Sequence, residues 1–96
     1  MQINVSAAAA ARVSELMKEN EMECALIREF NMGTPCNRKL FLGLSLDMMP
    51  EDEDEYLFAK VGDITFAMEE ELVGRYGSNI VVDLNEEGDV KVFSAE

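Results

Sequence analysis

Cys36 stands in the segment Gly33-Thr34-Pro35-Cys36-Asn37-Arg38-Lys39, and its thiol is the most specific chemical group in the chain. Gly and Pro in Met32-Gly33-Thr34-Pro35 read as a loop ahead of a strand. Loop placement keeps the sulfur reachable. Arg38 and Lys39, two of only 8 basic residues, favour thiolate over thiol, and thiolate is both nucleophile and metal ligand. A single cysteine does not hold a soft metal or a cluster, which take three or four ligands. The other ligands must come from a second subunit, glutathione or a partner. A thiol-redox role lacks a resolving cysteine nearby in sequence. Cys24 lies in an apolar stretch and reads as an inert core residue. Two cysteines are too few for a disulfide framework, so two free thiols are expected.

The other chemical groups exclude more than they suggest. The chain has no His, which removes Ser–His and Cys–His catalysis and the commonest zinc and haem ligand. No catalytic residue emerges, and the expectation is a protein that is not an enzyme. The run Glu51-Asp52-Glu53-Asp54-Glu55 lacks the glycine of a calcium loop and reads as a solvated connection. The seven methionines are dispersed, as core packing residues are. With 8 Lys and Arg against 20 Asp and Glu, the net charge is −12. That argues against nucleic acid, which needs a basic footprint, and against an anionic membrane surface. It suits a basic protein partner. No apolar run approaches the roughly 20 residues of a spanning helix. The alanine run near the start has no basic region before it and is no signal-peptide core. A cytoplasmic protein is expected.

These groups must be positioned by one domain, because 96 residues support no more. Residues 2–5 read as a strand, Ser6 as a helix N-cap, and Ala7 to Glu19 as a helix with Ala9, Val13, Leu16 and Met17 near one face. Strands follow over Met22–Asn31 and Lys39–Met48. The second of these is the clearest, with Leu40, Leu42, Leu44, Leu46 and Met48 on one face. Tyr56–Val61 and the stretch with Ile64, Phe66 and Met68 form a hairpin around Gly62-Asp63. A short helix over Glu69–Tyr76 ends at Gly77. Strands carrying Ile80, Val82 and Leu84, then Val90 and Val92, flank a turn at Glu86-Glu87-Gly88-Asp89. The expected class is α+β, mainly β: one layer of mostly antiparallel strands under a covering helix. Its core is small, and a homo-oligomer, a dimer, is expected.

This order of features is similar to the HesB/IscA-like family of A-type iron–sulfur carriers. The likeness rests on Ile3-Asn4-Val5-Ser6 before an alanine-rich helix, and on Ala25-Leu26 with Arg28. It continues through Gly33-x-x-Cys36 before a long alternating strand, a Pro-Glu-Asp stretch at Pro50, the hairpin at Gly62-Asp63, a short helix and a terminal hairpin at Gly88. It spans nearly the whole chain, as a single HesB-like domain over 1–96. It implies a strand-rich fold with one N-terminal helix, an oligomer, and iron or an iron–sulfur cluster held by cysteines. Of the family's three cysteines, the resemblance implies a counterpart for the first alone, at Cys36, the sole candidate for both cofactor and metal binding. The C-terminal cysteine pair has no counterpart, because Val90 to Glu96 contains no cysteine, and Asn37-Arg38 replaces the small residues that usually follow the first cysteine. The implied function is a member of iron–sulfur cluster biogenesis degenerate in cluster binding, with an iron–sulfur protein as partner. The alternative is a non-enzymatic acidic interaction module on the same fold.

Overall fold

A computed structural model describes residues 1–95. The strands form two separate sheets. β1 (Gln2–Val5), β6 (Asn79–Leu84) and β7 (Val90–Ser94) form one, in the order β1-β6-β7. β2 (Cys24–Thr34), β3 (Asn37–Asp47), β4 (Tyr56–Val61) and β5 (Ile64–Glu69) form the other, in the order β3-β2-β5-β4. Helix α1 (Ala7–Asn20) follows β1, and the short helix α2 (Glu70–Tyr76) follows β5. The strand-dominated α+β class with one N-terminal and one short helix is as expected. The single layer is not. The strands lie in two sheets, each of which contains one parallel pairing, β1 with β6 and β2 with β5.

Local chemistry sets the boundaries of α1. The Ser6 hydroxyl accepts from the Ala9 amide at 3.1 Å, which satisfies one of the donors a helix start leaves free. At the other end Glu21 adopts a left-handed conformation with φ 55°, and the Met22 amide returns to the Met17 carbonyl at 2.9 Å. Between these caps Ala9, Val13 and Met17 recur every four residues and form the buried face. That face joins Ile27, Phe66, Met68, Ile80 and Val82, drawn from both sheets, in one core. Each large side chain so buried contributes roughly 1.5–3 kcal/mol.

A smaller apolar cluster of Cys24, Leu26 and Ala67 lies on the opposite face of the four-stranded sheet, with Met49 and Tyr56 packed against it. The residues after β3 therefore cover part of that face. The acidic run forms a single exposed turn over Glu53–Glu55, consistent with a solvated connection. Among the described residues no helix is long and apolar enough to cross a membrane.

Candidate functional site

The β2–β3 hairpin carries Cys36 at its tip. Both strands run for 11 residues, in an unbroken antiparallel register from Cys24↔Asp47 to Thr34↔Asn37. The connection is therefore only Pro35-Cys36. Met32, Gly33 and Thr34, expected in a loop, belong to the ladder. A proline at the first turn position has its φ fixed near −65°, and Cys36 is not among the positive-φ residues. That excludes the type I′, II′ and II turns, which need φ > 0 at a central residue, and with them the turns that best match strand twist. Gly33 takes up the mismatch with φ 124°. A Cβ at Gly33 would collide with the Asn37 carbonyl oxygen, so the glycine of Gly33-x-x-Cys36 is a requirement of hairpin closure.

The two cysteines are placed very differently. Cys36 is free and exposed, whereas Cys24 is free and 0% exposed. Burial pushes the Cys24 thiol up, and the neighbouring carboxylates of Asp47 and Glu23 push it the same way, so Cys24 is held as the neutral thiol. Ten residues of β2 separate Cys24 from Thr34 at the turn, about 33 Å of strand, and no intrachain disulfide bridges that span. Arg38 and Lys39 follow Cys36 on β3, opposite Gly33 and Met32. Neither is in an ion pair among the described residues.

The hairpin projects as an arm. Its inner half is buried, but from Arg28 outward on β2 nearly every residue is exposed or half-exposed, as is β3 from Asn37 to Phe41. Phe30 and Phe41 are cross-strand partners whose rings stack at 5.7 Å. Gly43 lies beneath the Phe30 ring, so close that a Cβ would come within 2.7 Å of it. At the base of the arm Glu29, with 17% of its side chain exposed, receives Arg75 at 3.1 Å and the Tyr76 hydroxyl at 2.5 Å, both from α2. The Tyr76 hydrogen bond, then Arg75, hold the Glu29 carboxyl below its usual range. The same bond to the carboxylate pushes the Tyr76 phenol up. Sequence reading missed this triad, since nothing local links residues 29 and 76. The Phe30–Phe41 pair was accessible, because the two residues are equidistant from Pro35-Cys36.

Cys36 stands apart from any assembled ligand set: among the described residues no three Cys, Asp or Glu side chains converge to hold a metal. At the other end of the chain β7 closes against β6, and the Ser94 hydroxyl donates to the Tyr76 carbonyl. Glu96, the last residue of the stretch that lacks a cysteine pair, lies outside the described residues.

No protein-family model matches the sequence, and no curated protein matches it. Solved structures do match the fold. SufA of Escherichia coli, described as involved in the biosynthesis of iron–sulfur clusters, superposes with a TM-score of 0.76 at 16% identity, covering 99% of this chain and 82% of SufA. IscA, solved with a [2Fe–2S] cluster, superposes with a TM-score of 0.65 at 17% identity, covering 98% of this chain and 86% of IscA. The chain has the SufA and IscA fold. The likeness runs through both sheets and both helices, as the order of sequence features implied.

Proposed function

We propose that this protein acts, without catalysis, in iron–sulfur cluster biogenesis, as a divergent HesB/IscA-like domain over residues 1–96. Cys36 is its only family-type ligand. The reading is carried by a whole-chain likeness to SufA, involved in iron–sulfur cluster biosynthesis, and to IscA, solved with a [2Fe–2S] cluster, combined with an exposed thiol at a hairpin tip. One chain supplies one thiolate, fewer than the three or four ligands that a cluster takes. A single copy on its own therefore does not fit a cluster. Iron or a cluster is cargo here, gripped by Cys36 together with ligands from a second subunit of a homo-oligomer, from glutathione or from an iron–sulfur protein partner. The setting is the cytoplasm, where a free thiol persists.

Anaerobic reconstitution with iron and sulfide tests this. The expected result is visible absorbance and bound iron that Cys36→Ser abolishes and Cys24→Ala retains. A colourless wild type without iron overturns the proposal. The net charge of −12 favours a second reading, a non-enzymatic module that selects a basic partner by charge. That reading requires partner capture to weaken as salt rises, and salt-insensitive capture refutes it.

A further inference from the structure

The arm and the acidic loop have complementary surfaces. Residues 30–41 hold two of the 8 basic residues, Arg38 and Lys39, and none of the 20 acidic ones. They also expose Phe30, Phe41 and Met32, the last to 63%, which share one face of the arm with Lys39, while Leu40 and Arg38 lie on the other. A two-stranded ribbon with both faces in water is marginally stable, and an apolar patch of this kind marks a contact surface. On the same face of the sheet as Phe30, at the base of the arm, lies a groove of about 400 Å³ beneath the residues that follow β3. Its apolar floor includes Leu26, Met49 and Tyr56, and its rim carries Glu51, Asp52 and Glu55. The one cation in the groove, Arg28, is already 3.7 Å from Asp47, which leaves the rim carboxylates without a partner cation in it.

We infer that the arm of one copy docks in the acidic groove of a second copy. The argument is one of charge and of cover. Two copies at −12 each repel, so only a basic segment of one can approach the acidic rim of the other. The arm is the segment that joins local positive charge to exposed aromatic surface. The groove offers the converse, an apolar floor within a negative rim. Each copy brings its arm and its apolar-floored acidic groove, so two reciprocal contacts close a twofold pair. The pairing specifies the oligomer named in the proposed function and rests on none of its iron chemistry. Docking places the Cys36 tip against the acidic loop of the second copy.

The test uses the full chain with Cys36→Ser, so that neither a cluster nor a disulfide can link copies. Sedimentation is expected to give a dimer. Its dissociation constant should rise at least about tenfold between about 0.1 and 1 M salt, as the screening length falls from about 10 to about 3 Å. Charge reversal of the arm (Arg38→Glu with Lys39→Glu) and of the rim (Asp52→Lys with Glu55→Lys) should each give monomers. An equimolar mixture of the two variants should restore a one-to-one complex, because both contacts regain opposite charges. A monomeric parent overturns the inference, and a groove that then binds a basic apolar peptide belongs to another protein. A dimer indifferent to arm reversal, or a mixture that stays monomeric, overturns it equally. Iron binding by Cys36 is measured separately in the parent sequence, so either proposal can fail alone.

Discussion

The two cysteines should respond to a thiol reagent at rates that differ by orders of magnitude. Cys36 sits in a two-residue turn with its side chain in water, and Cys24 is 0% exposed beneath the residues that follow β3. A reagent reaches Cys24 only when the sheet opens. At the lower end of ordinary domain stability, about 5 kcal/mol, and at about 1.4 kcal/mol for each factor of ten, the open fraction lies between about 10⁻³ and 10⁻⁴. The raised Cys24 pKa slows it further in any opening that leaves Asp47 and Glu23 in place. With a chromogenic disulfide reagent, native protein should release one equivalent promptly and the second about a thousandfold or more slowly, the two merging in denaturant. The same contrast should appear in thermal melts. Cys24→Ser puts a hydroxyl into an apolar cluster at about 1–3 kcal/mol. At about 4–8 °C per kcal/mol for a domain of this size, its Tm should fall by at least about 4 °C. Cys36→Ser should melt within about 0.5 kcal/mol of wild type. Two thiols modified at one rate in the native state, or a Cys24→Ser variant that melts with wild type, refute the placement of Cys24 and the division of labour drawn from it.

Ser6→Ala removes the hydroxyl that caps α1 and should cost about 1 kcal/mol in a urea melt. Phe66→Ala empties a site at the centre of the core and should cost about 3–5 kcal/mol, visible as loss of a cooperative transition. Gly33→Ala forces a side chain into a left-handed position that also meets the Asn37 carbonyl. It should cost more than about 1 kcal/mol and perturb amide shifts around the arm tip. The Glu29 pKa is lowered in the folded state, so its contribution is complete above the unfolded value and lost as pH falls through the folded one. Urea melts below about pH 4.5, the ordinary carboxyl value, should show wild type losing a share of stability that Glu29→Gln does not lose.

Much of the fold was legible because alternation and capping are local. Ser6, the apolar spacing of α1 and the period-two runs at Tyr56–Val61 and Asn79–Leu84 each announce an element in a few residues. Alternation tells which residues share a face, but not what covers that face. Leu42, Leu44 and Leu46 turn towards the main core, while Leu40, in phase with them, is exposed because the arm has outrun its neighbours. The division into two sheets was hidden for the same reason, since the parallel pairings of β1 with β6 and β2 with β5 join distant segments. At the candidate site a chain reversal beside Cys36 was readable from Gly33 and Pro35, but its place was not, since the loop expected over Met32–Pro35 is a two-residue turn at Pro35-Cys36. The arm's exposure and the Glu29–Tyr76 bond were not, because both depend on where β5 and α2 end in space.

β1 bonds to β6, a strand made more than 70 residues later. Gln2 to Val5 align with Asn79 to Val82, so during synthesis β1 waits without its match until the ribosome has released residues 79–82. Long-range parallel registry of this sort delays folding and leaves bonding edges bare. During translation the hydrogen-bonding edge of β1 therefore stays bare until β6 emerges.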